Sequence, residues 1–194
     1  MQLSIVTWNT WKYQQIVSSL SDCVTPQQVD LDIPEIQTNL LSEISKDKCK
    51  QAYAHVKWPV LVDDTGIYFD AYTDFPWALT KYIYKGIGLA WIQKLFDGEK
   101  NMKAHFQTVL WYMDDSLEEP LLFVWEIHGS LSFDRLTKEW GEHDHHLPYD
   151  LIFIPEWYET PAFFNMSVWT KGNARIQAVE KLSLWLEQTY ALWS

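Results

Sequence analysis

Pro59-Val60-Leu61-Val62-Asp63-Asp64-Thr65-Gly66 is a short apolar run that ends in two adjacent carboxylates. Val60 to Val62 are strand formers in a stretch too brief for a helix, and Thr65-Gly66 supplies the turn that stops them. Neighbouring carboxylates repel, and a shared positive charge such as a divalent metal relieves the repulsion. In an α/β sheet the carboxyl ends of the strands are where ligands bind. The pair therefore reads as a metal-and-water site at a strand end. Standing alone, it would read as a solvated Asp-Asp turn.

It has company. Thr7-x-Asn9-x-x-Lys12 falls where a first strand, Leu3 to Trp8, passes into a first helix. A hydroxyl, an amide and an ammonium at a helix start can grip an anion, and Thr and Asn at that place also serve as ordinary caps. Glu35 follows Pro34 in a loop, free to point into a cleft or to stay solvated, and Lys48 lies on the next helix, where it equally suits the surface. Pro148-Tyr149-Asp150 sets an aromatic ring beside a carboxylate at a strand start, a pairing that could stack a base or simply pack and cap. Lys171-Gly172-Asn173-Ala174-Arg175 brings two cations to the start of the last helix, the end where cations are less usual. Glu142-His143-Asp144-His145-His146 is too tightly spaced for one zinc ion and reads as a solvated, pH-sensitive loop.

The elements that must position these residues alternate. A strand at Leu3–Trp8, a helix from Trp11, a strand around Val29–Ile33 and a helix over Leu40–Tyr53 precede the aspartates. Two short helices are expected within Pro76–Tyr84 and Leu89–Phe96, split by Gly86 and Gly88. Strands follow at Phe106–Met113, Leu121–Phe133 and Leu151–Ile154. The closing helix carries Ile176, Val179, Leu182, Trp185, Leu186 and Tyr190 as one apolar stripe. Alternation followed by a run of strands implies an α/β fold with a mixed sheet.

Composition excludes several classes. With 26 acidic against 15 basic side chains, the net charge of −11 argues against a groove that tracks nucleic acid. No apolar run approaches the ~20 residues a membrane helix needs. Two isolated cysteines suit a reducing compartment, and no signal peptide is legible at the start, so a cytoplasmic location is expected.

In order and spacing, these motifs resemble the inosine triphosphate pyrophosphatase family, hydrolases of non-standard purine nucleoside triphosphates. Its plan is Thr-Gly-Asn-x-x-Lys, a loop Glu, a helix lysine, Pro-Val-Leu-x-(Asp/Glu)-Asp-(Ser/Thr)-Gly, Phe-Gly-(Tyr/Trp)-Asp-Pro and a final Lys with Ser-His-Arg. Thr7, Asn9, Lys12, Glu35, Lys48, Pro59 to Gly66, Asp70-Ala71, Lys81, Gly129, Tyr149-Asp150, Lys171 and Arg175 match it. The resemblance implies one domain over residues 1–194: an elongated two-lobed α/β domain with a long mixed β-sheet flanked by helices and a nucleotide cleft between the lobes. It implies cleavage of a nucleoside triphosphate to monophosphate and pyrophosphate with Mg²⁺, or Mn²⁺ in its place, and a homodimer. By that likeness Glu35, Asp63 and Asp64 hold the metal, and Asp64 orients or deprotonates the attacking water. Lys12, Lys48 and Lys171 neutralise phosphate charge, while Thr7, Asn9, Tyr149, Asp150 and Arg175 bind substrate.

The departures fall on one half of that plan. Trp8 replaces the glycine of Thr-Gly-Asn, Leu147-Pro148-Tyr149-Asp150-Leu151 keeps one aromatic, and Asn173-Ala174-Arg175 stands where Ser-His-Arg is expected. The phosphate-and-metal half survives better than the base-reading half, which implies retained chemistry with altered base preference. The alternative is a non-catalytic nucleotide- or protein-binding module on the same fold, with some of the twelve Trp as anchors.

Overall fold

The structure is a computed structural model that describes residues 1–134, 136, 148–161 and 173–190. In chain order the elements are β1 (Gln2–Val6), α1 (Thr10–Val17), β2 (Thr25–Val29), α2 (Leu41–Val56), β3 (Val60–Phe69), α3 (Thr80–Leu95), β4 (Lys103–Met113), β5 (Leu121–Leu131), β6 (Phe153–Pro155) and α4 (Ala174–Tyr190). The six strands form one sheet in the order β2-β1-β3-β4-β5-β6. β1 pairs in parallel with β2 and β3, and β5 pairs antiparallel with β6, so the sheet is mixed as the alternation implied. The chain divides into two compact units. The first comprises Met1–Thr65, Thr108–Trp125 and Ala174–Ser194, the second Gly66–Gln107 and Glu126–Asn173.

In the first unit the strands bury both faces, and their alternation sorts the side chains. Leu3, Ile5, Leu61, Leu110 and Tyr112 face one way and pack with Ile16 of α1 and Val179, Leu182 and Leu186 of α4. Val60, Val62 and Trp111 face the other way and pack with Cys49 and Ala52 of α2. The stripe predicted for the last helix is the stripe that α4 buries: Ile176, Val179, Leu182 and Leu186 lie in the core. Where β4 leaves the sheet, Asp114 is buried and accepts from the hydroxyls of Tyr112 (2.6 Å), Tyr190 and Ser116 (2.7 Å).

In the second unit an aromatic cluster joins Phe69, Phe75, Phe96, Tyr84 and Tyr149. β6 comes alongside β5 with Pro155 opposite Gly129. A Cβ on Gly129 would stand 2.2 Å from the Ile154 carbonyl oxygen, so only glycine admits that approach.

Four expectations shift. β2 runs over Thr25–Val29 rather than Val29–Ile33, with Pro26 inside it. An edge strand tolerates a proline because one row of its amides has no ladder partner. Leu31 and Ile33 instead pack onto the α2 side of the sheet. β3 does not stop at Thr65-Gly66 but runs through them to Phe69. The break expected between two short helices does occur within α3, at Gly88, whose φ of 68° and ψ of 172° are not helical and suit glycine. β6 begins at Phe153 because Pro148–Leu151 forms a 3₁₀ turn. β5 ends at Leu131, two residues before Phe133.

Candidate active site

Asp63, Asp64 and Thr65 lie in the middle of β3 and divide between the two faces of the sheet. Asp63 and Thr65 continue the face of Leu61, toward α1 and α4. Asp64 continues the face of Val60 and Val62, toward α2. Adjacent residues on a strand point to opposite sides, so the two aspartates serve separate clusters.

On the α2 face, Lys48 donates to Glu35 and to Asp64, each at 3.1 Å. Ser45 Oγ lies 2.8 Å from Asp64 Oδ2, one helical turn before Lys48. Burial alone would lower the Lys48 ammonium, but Asp64 and then Glu35 outweigh it and raise its affinity for the proton. Glu35 is half-exposed and Asp64 is 19% exposed, so this cluster opens to solvent.

On the opposite face, Arg175 is 1% exposed and donates in three directions. Nε reaches Asp63 Oδ1 at 2.8 Å, Nη2 reaches Thr65 Oγ1 at 2.9 Å, and Nη1 meets Gln15 Oε1. Thr65 in turn lies 2.8 Å from the Thr108 hydroxyl on β4. Lys12 forms an ion pair with Asp63 Oδ2 at 2.9 Å and donates to the Asp63 carbonyl at 3.4 Å. Burial alone would push the Asp63 carboxyl up, but Arg175 and then Lys12 overcome it and hold the group down to about 2.

The turn from β1 into α1 sits beside this cluster. Asn9 caps α1, its side-chain oxygen accepting from the amides of Trp11 (2.9 Å) and Lys12 (3.2 Å). Thr7 Oγ1 accepts from the Asn9 amide at 3.1 Å. Trp8, which stands where the resemblance expects glycine, is 64% exposed, so its bulk is turned outward and the turn is preserved.

The structure thus brings Glu35, Lys48 and Asp64 together, and separately Lys12, Asp63 and Arg175, all within the first unit. Tyr149 and Asp150 belong to the second unit, and both are 3% exposed. The Tyr149 hydroxyl donates to the Thr80 carbonyl at 3.1 Å, and burial pushes its proton affinity up. Lys171 and the loop His143–His146 lie outside the described residues.

Sequence reasoning missed Ser45, Gln15 and Thr108. Two of them had a signal: Ser45 is three residues before Lys48 and Gln15 three after Lys12, the spacing that shares a helix face. Thr108 had none, because strand neighbours are not adjacent in sequence.

This mixed α/β fold is shared with known structures. A HAM1 protein from Coxiella burnetii has the same fold, with a TM-score of 0.80 over 97% of this chain and 99% of that one at 19% identity. The Ham1 protein of Staphylococcus aureus matches with a TM-score of 0.75 over 97% of this chain and 100% of that one at 18% identity. The chain belongs to the Ham1 family, whose model matches residues 3–185. It is 31% identical to the dITP/XTP pyrophosphatase of Thermococcus kodakarensis, over 97% of this chain and 98% of that protein. The dITP/XTP pyrophosphatase of Methanopyrus kandleri is also 31% identical, over 98% and 99% of the two chains. These relatives place the chain in an enzyme family of nucleotide pyrophosphatases.

Proposed function

We propose that this chain hydrolyses a non-standard purine nucleoside triphosphate between the α- and β-phosphates, giving the monophosphate and pyrophosphate with the help of a divalent metal. The observation that carries the proposal is the Glu35–Lys48–Asp64 cluster. Two carboxylates converge on one ammonium at 3.1 Å each, so the spot between them stabilises positive charge. Carboxylate oxygens are the hard donors that Mg²⁺ and Mn²⁺ prefer, so the residues fit such an ion. Glu35 and Asp64 would hold it, and it would supply Lewis-acid stabilisation of the phosphate oxygens.

The chain's own residues account for the rest. Ser45 meets Asp64 Oδ2 at 2.8 Å and Lys48 lies nearer that oxygen (3.1 Å) than Oδ1 (3.5 Å), so Oδ1 is the oxygen better placed to accept a proton from water. Water then attacks phosphorus, the bond to the bridging oxygen breaks, and pyrophosphate leaves. Lys48 and Lys12, both partly exposed, face the growing negative charge. The Asn9 oxygen is engaged in capping, so its side-chain nitrogen is the donor for a phosphate, joined by the Thr7 hydroxyl. Asp63 already balances two cations and serves Lys12, not the metal. Tyr149 and Asp150 are buried in the second unit and enter as its supports, so base selection rests on other groups.

The test is pyrophosphate release from a panel of triphosphates (ITP, XTP, dITP and the four common ribonucleotides) with Mg²⁺ or Mn²⁺. Faster turnover of the 6-oxo, 2-amino-lacking or 2-oxo bases is expected. Binding without release from any of them would favour the non-catalytic module. A homodimer, implied by the resemblance, is checked by light scattering on the same preparation.

A further inference from the structure

Resting on that reading, we propose that Arg175 is a positioning residue for Asp64: by holding Asp63 and Thr65 on one face of β3, it sets the direction in which Asp64 leaves the other. Asp63 and Thr65 are residues i and i+2 of one strand, so they share a face, and Asp64 between them takes the opposite one. One guanidinium bridges both, through Nε to Asp63 Oδ1 at 2.8 Å and Nη2 to Thr65 Oγ1 at 2.9 Å. Its third nitrogen ties the same point to Gln15 on α1, and Thr65 passes the constraint to Thr108 on β4. Three residues of strand are thereby held against two elements and a neighbouring strand.

The clamp sits in the middle of β3. Gly66 follows at once and contributes no side chain to restrain the strand. A planar guanidinium makes several directed bonds from one rigid group, which a lysine ammonium on a flexible stem cannot reproduce. Asp64 lies across the strand from this fork, anchored among the described residues by Ser45 and Lys48. A change in the local twist of β3 at this point would move the Asp64 carboxylate away from both. A misplacement of about 1 Å can cost about 100-fold in rate.

This role separates Arg175 from the base-binding one expected from the resemblance. A residue that reads the base changes the ranking of substrates when it is lost. A residue that aims Asp64 lowers turnover for every base alike.

The decisive measurement is kcat and KM of Arg175→Lys for ITP, XTP and GTP. A fall in kcat of about 10- to 100-fold is expected, with KM within about threefold and the ranking of the three bases preserved. Unchanged kcat, or a tenfold change in the ratio between bases, would overturn the proposal. If Arg175→Lys does not fold, Gln15→Leu removes one prong and is expected to lower kcat several-fold with the same ranking; an unchanged kcat there overturns it too. A crystal structure of whichever variant folds gives a readout free of turnover. Asp64 is expected to move off Ser45, and a retained 2.8 Å contact would overturn the positioning role even if the wild type cleaved nothing. An inactive wild type would instead remove the proposed function.

Discussion

Asp63 and Asp64 are neighbours of the same type, yet the two faces of β3 give them opposite circumstances. Asp63 is sealed between Arg175 and Lys12, and its charge is balanced before any ligand arrives. Asp64 shares one lysine with Glu35 at an opening to solvent, so the cluster keeps a surplus of negative charge. Repulsion between adjacent carboxylates, which on sequence grounds calls for a shared cation, is resolved here by sending each to its own cation. In the proposed function, one aspartate builds the site and the other acts in it.

That contrast can be broken from either side, and the largest effect is expected at Asp64. Asp64→Asn should lower kcat by about 100-fold or more, the range of a lost general base, while circular dichroism and the melting temperature stay near the wild type. An unaffected rate would take Asp64 out of the chemistry. Asp63→Ala should do the reverse in kind: it strands a buried Arg175 and should cost about 3–5 kcal/mol of unfolding free energy in a urea titration.

The pH dependence of stability sharpens the same comparison. Asp63 titrates at about 2 when folded, against an ordinary 3.8. The folded state therefore binds fewer protons than the unfolded chain between those values. Its contribution, on the order of 2 kcal/mol, is complete above about pH 4 and lost as the pH falls toward 2. Urea unfolding at pH 7 and pH 3 reads this loss, and Arg175→Met should flatten it. Asp114 adds to the same window in the same direction: burial raises its carboxyl, and the hydroxyls of Ser116, Tyr112 and Tyr190 more than offset that.

A smaller effect is expected far from this charge balance. Gly129→Ala forces a Cβ against the Ile154 carbonyl and should cost about 1–3 kcal/mol, with kcat per folded molecule unchanged. A change in kcat would show that the β5–β6 pairing reaches the site.

Much of the fold is legible in the residues alone. The 3.6-residue spacing of Ile176, Val179, Leu182 and Leu186 reports a helix with one buried stripe, and α4 is that helix. Val60-Leu61-Val62 reports a strand buried on both faces, as β3 is. Element ends were less legible. Pro26 lies within β2 because that strand is at the sheet edge, a property that depends on which strands pair and not on local sequence. The break between two helices expected at Gly86 and Gly88 falls at Gly88.

The candidate site divides in the same way. Residue type and order were sufficient to bring Glu35, Lys48, Asp63, Asp64 and Lys12 under suspicion, because carboxylates that follow a strand-forming run and lysines on nearby helices are local features of the chain. Which carboxylate meets which cation depends on pairs 13 to 112 residues apart, brought together only by the packing of α1, α2 and α4 on the sheet. Whether a charged side chain stays open or becomes sealed is likewise a property of that packing, since burial is conferred by neighbours. Sequence alone therefore determined the chemistry available to this protein, and tertiary structure alone decided that Arg175 faces inward, that Tyr149 is core, and that Asp64 is the aspartate left partly open to solvent.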